Sequence, residues 1–408
     1  MQLGIEQIGF YGGRAFIDVM ELAELRGLDP LRFANLLIRK KTVHFPWEDP
    51  VTFAVNAAQP LLARLTEPEK KRITHLIIAS ESGIDFGKSL ATWIHPHLGL
   101  PKQMRLLEIK QACYAGTAAL QTALGMLSRM NTPDDKALVI CTDIARPIPF
   151  SYAEPTQGGA AIAMLVGQPD LLEVEAGASG FYGHHAMDAF RPDADQETGD
   201  ADLSVLTYIQ CLQRSYEAYQ SITGGSDFLH HFDLLAFHTP FGGMVKGAHR
   251  SLLRHLYQMD GASIEADFHR RLAPSLRYCS EVGNIYSGTV FLALVGALAS
   301  SQRRDSGRIG LFSYGSGCSS EFYSGRVGSK VLERLAEADL GGQLNSRLKL
   351  SMKDYERVIG LARASHFGVR HLQLDLGALE DLYASAFQYR RTLVLRSIKD
   401  YERHYEWS

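Results

Sequence analysis

Short apolar runs alternate with longer segments of helical periodicity along most of the chain. Apolar runs of this length, bounded by polar or turn residues, are typical of buried strands, and they occur at residues 75–80, 104–109, 136–141, 233–238 and 308–317. Helices are predicted at residues 28–40, 49–65, 117–130 and about 244–259. This alternation predicts an α/β protein in which mostly parallel or mixed sheets are covered by helices.

Three other segments lack a clear period. Residues 183–204 are polar and rich in acidic side chains, so we predict a long surface loop or a cap there. Residues 303–307 predict a turn before a strand, and the charged tail from Lys330 onward predicts helices with one possible strand pair. No linker-like segment divides the chain into independent modules.

The composition is that of a globular protein with a sizeable core. Hydrophobic residues make up 46% of the 408 residues and charged residues 21%, and the formal net charge is −3. We therefore expect neither a nucleic-acid nor a membrane partner, and an acidic partner would need a local basic patch. No run approaches the roughly eighteen apolar residues of a transmembrane helix, and the N-terminal residues lack the pattern of a secretory signal. A cytoplasmic protein is expected.

The cysteine pattern argues against structural disulfides and against a structural metal site. They are odd in number, widely spread and include no CxxC pair, so we expect neither a disulfide framework nor a metal site. Cys141 and Cys211 are predicted to be core residues. The full set is Cys113, Cys141, Cys211, Cys279 and Cys318.

Cys113 has the setting of a nucleophile. It lies between the predicted strand at 104–109 and a helix rich in small residues. The free amides and the dipole of a helix N-terminus favour a thiolate, so a lowered pKa is expected for this thiol. A thiolate can attack a thioester and hold the acyl group covalently. A buried structural cysteine is the alternative, and the local pattern leaves both open.

Other polar residues stand where predicted strands end. Glu81 follows one strand, His238 ends another, and Asn284 lies after a glycine. Binding sites in α/β proteins collect beyond the carboxyl ends of the strands, and backbone amides of residues 313–317 are candidates for an oxyanion hole. Taken singly, each residue has an ordinary structural explanation. His249 ranks below His238 because it lies on the following helix.

Together these segments resemble the 3-hydroxy-3-methylglutaryl (HMG) synthase family of the thiolase superfamily. The resemblance implies a thiolase-like, five-layered α-β-α-β-α duplicated fold. The N-terminal half, residues 1–170, would carry the nucleophile, and residues 171–408 the His and Asn with a C-terminal extension. The superfamily also implies a homodimer. The matching segments, in family order, are SESGID, EIKQACYAGTAAL, AEPTQGGAAIAM, FHTPFGGMVK, GNIYSG and FSYGSG.

The resemblance also implies roles for individual residues. Cys113 would be acetylated, Glu81 would be the general acid/base, and His238 would bind the β-keto oxygen of the acceptor. Amides at Cys113 and around Ser313 would hold the thioester oxyanion.

Two further residues, Asn284 and Tyr152, are expected to support the substrate, with Asn284 also supporting His238. The resemblance implies no metal, no redox cofactor and no permanently bound cofactor. The phosphopantetheine arm would arrive on an acyl carrier protein (ACP) or as coenzyme A.

Two features favour the polyketide β-branching type of the family. Residues 16–58 resemble that type, and Gly243 stands where CoA-dependent enzymes usually have a lysine. A basic helical stripe and a second basic cluster are expected to dock the carrier protein, although a solvated helix face is the alternative. The residues are Lys246, Arg250 and Arg254 in the stripe, and Arg32, Arg39, Lys40 and Lys41 in the cluster.

The predicted function is therefore that of an HMG-ACP synthase. It would acetylate Cys113 from an acetyl-donor ACP, add the acetyl group to a β-ketoacyl acceptor ACP in an aldol-type step, and hydrolyse the enzyme thioester. The alternatives are an HMG-CoA synthase of the mevalonate pathway and a catalytically inactive thiolase-like partner subunit.

Overall fold

A computed structural model describes residues 2–29, 33–130, 132, 134–146, 148–151, 153–193, 196–300, 307–365 and 367–408. Arg32 and Tyr152 lie outside the described residues, as does the turn predicted at 303–307 apart from Gly307. Within the described ranges, no helix is both long and apolar enough to cross a membrane.

Strands make up the centre of the molecule. They are β1 (Gly4–Tyr11), β2 (Ala15–Asp18), β3 (Lys40–Val43), β4 (Ile73–Ala79), β5 (Arg105–Ile109), β6 (Lys136–Ile144), β7 (Gly159–Gly167), β8 (Leu172–Gly183), β9 (Ala189–Asp193), β10 (Gln196–Gly199), β11 (Leu234–Phe237), β12 (Arg308–Gly315), β13 (Ser319–Val327), β14 (Leu348–Lys349), β15 (Leu372–Gln373), β16 (Leu393–Lys399) and β17 (Glu402–Trp407).

Helices cover the strands on several sides. They are α1 (Val19–Leu25), α2 (Pro50–Leu62), α3 (Glu67–Lys71), α4 (Leu90–Ile94), α5 (Ala115–Leu127), α6 (Ala201–Ile222), α7 (Phe228–His231), α8 (Gly242–Tyr257), α9 (Gly261–Asp267), α10 (Leu276–Val282), α11 (Thr289–Ser300), α12 (Val331–Ala338), α13 (Leu340–Asn345), α14 (Met352–Ala362) and α15 (Glu380–Ala386).

The largest sheet runs through both halves of the chain. Its strand order is β11-β12-β13-β8-β1-β7-β6-β4-β5. The halves join where β1 pairs with β8, at Gly4 opposite Glu173 and Ile5 opposite Leu172. β4 runs parallel to β5 and β6, and β11 runs parallel to β12. The carboxyl ends of parallel strands meet at one sheet edge, which is where the predicted site residues lie.

Three apolar clusters define the layers. α2 packs on one face of β4, β6 and β7. The other face of those strands packs on α5 and α11, which also contact β11, β12 and β13 of the second half. α6 and α8 cover the far face of those last strands. The order helix, sheet, helix, sheet, helix is the layer order that the resemblance implies.

Much of the predicted secondary structure is confirmed. The five predicted strands correspond to β4, β5, β6, β11 and β12, and the helices predicted at 49–65, 117–130 and 244–259 correspond to α2, α5 and α8. α2 begins with a capping box, in which Asp49 and Thr52 satisfy each other's backbone N–H groups. Cys141 and Cys211 are fully buried, as expected.

The helix predicted at residues 28–40 is wrong. Among its described residues only Phe33 and Ala34 are helical, and Lys40 begins β3 opposite Asp18 of β2. The apolar positions that resemble a helical stripe instead pack against α1: Phe33 and Ile38 share a small cluster with Val19. Tertiary contacts, rather than helical periodicity, explain that pattern.

The long loop predicted at residues 183–204 is wrong, whereas the cap given as its alternative agrees with the structure, because Arg191 of this segment contacts Glu81. The segment forms the β9–β10 hairpin and the start of α6, whose N-cap is Asp200. Asp188 is only 1% exposed. Several polar side chains of this segment are exposed, among them His185, Asp193 and Thr198, whereas Asp188 and Arg191 form hydrogen bonds to neighbouring parts of the chain.

Candidate active site

Cys113 lies in the turn between β5 and α5. The turn is tight, since Ala112 has a positive φ of 45° and α5 begins only at Ala115. Cys113 is 9% exposed and contacts Ala145 and Tyr286. The cysteine is thus held at a sheet edge, at the start of a helix and beside an aromatic side chain.

His238 and Ser313 occupy neighbouring positions at the end of the parallel pair β11–β12. The backbone N–H of His238 donates to the carbonyl of Phe312 at 2.7 Å. His238 Nδ1 and Ser313 Oγ are buried, and neither has a hydrogen-bond partner within the described chain. Buried polar atoms are almost always paired in folded proteins. Two adjacent unpaired atoms therefore indicate a place where a polar ligand binds.

A glycine brings this strand end against the nucleophile turn. Gly315 closes β12, and a Cβ placed on it would lie 2.5 Å from the carbonyl oxygen of Gln111 and 2.7 Å from the amide nitrogen of Tyr114. No other residue type fits so close a backbone approach without displacement. The end of β12, which carries Ser313, is thus in direct contact with the turn that carries Cys113.

Glu81 is positioned through a buried carboxyl group. One oxygen of Asp143 accepts from Ser80 Oγ at 3.1 Å, from the Glu81 amide at 2.9 Å and from Ser82 Oγ at 2.8 Å. The other oxygen accepts from the Ser287 amide at 3.1 Å and from the Ser287 hydroxyl. Asp143 lies near the end of β6. It thereby joins the backbone of Glu81 to Ser287, in the segment before α11.

The β9–β10 hairpin covers Glu81. Arg191 donates from Nη1 to the carbonyl oxygen of Glu81 at 3.1 Å, and its Nη2 lies 3.9 Å from Glu81 Oε1. Nη2 also donates to Glu197 at 3.1 Å, and Tyr286 donates its hydroxyl to the same Glu197 oxygen at 3.1 Å. The hairpin is thus connected to Glu81 through Arg191. It is connected through Glu197 to Tyr286, the side chain that contacts Cys113.

Three residues that the sequence did not indicate also shape the site: Arg191, Glu197 and Asp143. Asp143 follows a predicted strand, just as Glu81 does, and that position was a usable signal. Arg191 and Glu197 do not follow a predicted strand. In the hairpin, side chains that face the site and side chains that face water are equally polar, so the sequence does not distinguish them.

Burial sets the protonation states around Cys113. Burial and, secondarily, the carboxyl group of Asp143 raise the pKa of Glu81 above its usual range, while Arg191 opposes the rise. Burial and then Glu81 raise the pKa of the Cys113 thiol well above its usual range. The lowered cysteine pKa expected from the helix N-terminus is therefore wrong, because the thiol is buried and nearby carboxyl groups add to the effect of burial. The site holds protons that must move during catalysis.

His238 has the opposite shift. Burial lowers the pKa of its imidazole to about 3, so the ring is neutral near pH 7. A neutral imidazole has one N–H donor and one acceptor nitrogen. The buried ring therefore offers a hydrogen-bond donor without a positive charge.

Asn284 forms its side-chain hydrogen bonds on the Tyr286 side of the site. Its Oδ1 accepts from the Tyr286 amide at 2.9 Å and from Thr289 Oγ1 at 3.0 Å. Among the described residues it makes no hydrogen bond to His238, so the supporting role expected for it stays a prediction. Its clear effect is to hold the backbone of Tyr286, the residue that contacts Cys113.

His249 is a structural residue. It is fully buried, and its Nε2 lies 2.9 Å from Asp267 Oδ2. Arg271 donates to the same carboxylate from two nitrogens. The ranking of His238 above His249 agrees with this arrangement, since His249 belongs to an internal ion-pair network.

The predicted basic stripe is only partly available. Lys246 forms an ion pair with Glu265 at 2.5 Å and lies over the ring of Phe268. Arg250 and Arg254 are exposed on α8, and no side-chain partner is found for either within the described residues.

The second basic cluster is not a free patch. Arg39 and Lys40 both pair with Glu281 at 2.8 Å. Lys41 is 1% exposed and donates to the carbonyl of Glu154. Burial argues against docking by Lys41, whereas docking by Arg39 and Lys40 stays a prediction, since their side chains reach the surface but already pair with Glu281.

Gly243 is required by the packing. A Cβ on this residue would lie 2.2 Å from the carbonyl oxygen of Asn35. A lysine would collide with that backbone unless the segment moved. This helix start therefore has no space for the lysine that the resemblance associates with CoA binding.

Family models of hydroxymethylglutaryl-coenzyme A synthase match nearly the whole chain. The N-terminal model matches residues 1–170, and the C-terminal model matches residues 172–267 and 254–373. The chain belongs to the hydroxymethylglutaryl-CoA synthase family. It is an enzyme of a family that forms carbon–carbon bonds.

Two curated relatives show where this synthase stands within the family. The polyketide biosynthesis 3-hydroxy-3-methylglutaryl-ACP synthase PksG of Bacillus subtilis is 45% identical over 99% of each chain. The hydroxymethylglutaryl-CoA synthase of Enterococcus faecalis is 35% identical over 87% of this chain and 91% of its own.

Among solved structures, too, an enzyme that was crystallised with an ACP is more similar to this chain than one that was crystallised with CoA. The HMG synthase of the curacin biosynthetic pathway, in complex with holo donor-ACP, is 46% identical with a TM-score of 0.97 over 100% of both chains. An HMG-CoA synthase complexed with CoA is 28% identical with a TM-score of 0.86, also over 100% of both chains. The predicted thiolase-like fold is thus confirmed.

Proposed function

We propose that this synthase is a 3-hydroxy-3-methylglutaryl-ACP synthase of polyketide β-branching. The observation that carries the proposal is the end-to-end similarity to PksG and to the curacin pathway enzyme, at 45% and 46% identity. The curacin enzyme has been crystallised with holo, apo and acetyl donor-ACP. The packing of Gly243, which leaves no space for a lysine, supports the same branch.

The first step transfers an acetyl group to Cys113. The sulfur forms a bond to the acetyl carbonyl carbon, the donor's thioester bond breaks, and phosphopantetheine leaves as a free thiol. Because the pKa of Cys113 is raised, its proton must be carried away as the sulfur attacks and returned to the leaving thiol. Glu81, whose pKa is also raised, is the nearby group suited to both transfers.

The second step forms the carbon–carbon bond. Glu81 removes a proton from the methyl group of acetyl-Cys113, and backbone amides at Cys113 and near Ser313 stabilise the resulting enolate oxygen. The enolate carbon attacks the β-keto carbon of the acceptor, whose oxygen accepts a hydrogen bond from the neutral ring of His238. Glu81 then returns the proton to the new alkoxide.

Hydrolysis completes the cycle. Water cleaves the bond between Cys113 and the acyl group, which regenerates the thiol and leaves a free carboxylate on the acceptor's new branch. Every atom and proton is accounted for without a metal or redox cofactor. Phosphopantetheine enters with the carrier protein, and no cofactor needs to remain bound between cycles.

The partners are two carrier proteins, an acetyl donor and a β-ketoacyl acceptor. Carrier proteins are acidic, and the exposed Arg250 and Arg254 offer unpaired positive charge on α8. Lys246 contributes less, because Glu265 already neutralises it. Arg32 and Tyr152 keep their predicted roles in carrier and substrate binding. We also propose a homodimer of chains built from halves 1–170 and 171–408.

The experiment compares the two possible acetyl donors. The full chain is mixed with acetyl-ACP or with acetyl-CoA at equal concentration, and acetyl-Cys113 is followed by intact mass after rapid quenching. We expect faster acetylation from acetyl-ACP, and no adduct in Cys113→Ser. Faster acetylation from acetyl-CoA would favour an HMG-CoA synthase, and no adduct from either donor would identify an inactive subunit.

A further inference from the structure

Two cysteines and a histidine outside the proposed catalytic set converge beside the β12–β13 turn. Cys211 Sγ lies 3.5 Å from Cys318 Sγ, and Cys318 Sγ lies 3.2 Å from His184 Nδ1. All three atoms lie within 4.8 Å of one another. None of the three takes part in the steps proposed above.

The protein backbone builds this cluster. Cys318 donates its amide to the carbonyl of His184 at 2.7 Å, which fixes the β12–β13 turn to the chain after β8. Cys211 lies on α6, which packs across the same strands. The side chain of Cys211 is fully buried there. Cys211 is therefore held by a helix, whereas His184 and Cys318 lie in the connections after β8 and before β13, which the backbone hydrogen bond between them joins.

We propose that His184, Cys211 and Cys318 form a binding site for a thiophilic divalent cation, with Zn²⁺ as the reference ion. Thiolate and imidazole ligands are the set that Zn²⁺ prefers, and a site with three protein ligands leaves a fourth position for water. The proposal concerns ion binding at a second site and does not depend on the proposed reaction.

Two of the three ligand–ligand distances fit with small adjustments. With Zn–S near 2.3 Å and Zn–N near 2.0–2.1 Å, tetrahedral angles put the two sulfurs about 3.8 Å apart and sulfur and nitrogen about 3.5 Å apart. The observed 3.5 Å and 3.2 Å each need to open by only a few tenths of an ångström. His184 is half-buried, so its ring can turn towards Cys211 and an ion can reach the cluster from solvent.

The surroundings favour a cation. Asp188 lies close enough to act electrostatically on Cys211, and it accepts hydrogen bonds from Tyr314 and from the Gly317 amide at the same turn. Cysteine binds the ion as a thiolate, so binding is coupled to the release of thiol protons. Ion affinity should therefore rise with pH.

Sequence spacing could not show this site. The expectation of no metal site rested on the absence of a CxxC pair, whereas here 107 residues separate the two cysteines. Their proximity depends on the pairing of β8 with β13 and on the packing of α6, which only the fold shows.

The test is a binding measurement on the full chain, stripped of metal and kept reduced with a phosphine. Zn²⁺ is titrated against a chromophoric chelator, and Co²⁺ is added separately to record thiolate-to-metal absorption. We expect one equivalent of bound ion and a higher melting temperature with Zn²⁺. In Cys318→Ser and in His184→Gln the affinity should fall by at least about tenfold.

Matched variants identify the site. Cys279→Ser changes another buried cysteine, and Cys113→Ser changes the proposed nucleophile; both should bind Zn²⁺ as the unmodified chain does. His184→Gln changes a half-buried side chain and so tests the site even if the cysteine variants fold poorly. The proposal is overturned if the unmodified chain binds no Zn²⁺, if His184→Gln binds it equally well, or if only Cys113→Ser loses it.

Discussion

The two halves of the molecule present different kinds of polar group to the candidate site. On the N-terminal side, Asp143 accepts hydrogen bonds from Ser80, Ser82 and the Glu81 amide. Two residues of the C-terminal half complete this network, since Ser287 donates to Asp143 and Arg191 donates to the Glu81 carbonyl. On the C-terminal side, His238 Nδ1 and Ser313 Oγ are buried without a partner in the described chain. The Asp143 carboxyl group on the N-terminal side already has its hydrogen-bond partners within the protein. His238 and Ser313 on the C-terminal side each keep a polar atom that can bond to a substrate.

This difference suggests a division of labour. A proton-transfer group works only if its position and pKa are set in advance, which the Asp143 network and burial do for Glu81. A group that recognises a substrate oxygen must keep its hydrogen bond free until the substrate arrives. The comparison therefore assigns proton transfer to the N-terminal half and acceptor recognition to the C-terminal half.

The largest expected effect is from Glu81→Gln. Removing the proton acceptor should slow carbon–carbon bond formation by about 10²–10⁴-fold, and it should also slow acetylation of Cys113, because Glu81 serves the proton transfers of that step too. Rapid quenching with intact mass spectrometry measures both quantities. The matched control is Glu333→Gln, a carboxylate on α12 that is 60% exposed. Retained product formation in Glu81→Gln would contradict the assignment of the N-terminal half.

A smaller loss is expected from His238→Asn. Acetylation of Cys113 should continue, while condensation should fall by about 10²–10³-fold because one donor to the acceptor oxygen is lost. Single-turnover assays that start from acetyl-enzyme separate the two steps, and His255→Asn, on the exposed side of α8, is the control. An equal loss in both steps would show that His238 serves acetylation too, and the division between the halves would fail.

The fold was largely predictable because most of its elements are simple. β4, β6 and α5 bury continuous apolar faces, and such faces are visible in the order of residues alone. The segment at 28–40 was not predictable, because Phe33 and Ile38 are apolar for packing against α1. Local periodicity cannot distinguish such tertiary contacts from a helical stripe.

The candidate site was predictable only in part. Glu81, Cys113 and His238 follow strands, and that position is readable from sequence. Arg191 was not, because its polar hairpin has the composition of a surface loop. The direction of the Cys113 pKa was also beyond the sequence, since it depends on burial and on which carboxyl groups surround the thiol.

The pH dependence of condensation tests the Asp143 network. Glu81 must be ionised to remove a proton, and burial together with Asp143 raises its pKa, so the rate should increase with pH through that raised pKa. Asp143→Asn removes a neighbouring negative charge, which lowers the pKa of Glu81 and should move the rising limb to lower pH. Ser80→Ala, which removes one hydrogen bond and keeps the charge, is the control. A limb that stays in place or moves to higher pH would contradict this electrostatic coupling.

The smallest effect is expected far from both halves of the site, on α8. Reversing charge in Arg250→Glu/Arg254→Glu should slow acetyl transfer from acetyl-ACP by about tenfold at low salt, because two exposed attractive charges become repulsive. Transfer from acetyl-pantetheine, which carries no protein, should be unaffected, and the difference should shrink as salt is added. Arg390→Glu, an exposed arginine in the C-terminal extension, is the control. If both donors slow equally, the helix acts on the site itself and not on the carrier protein, and the docking role of α8 is wrong.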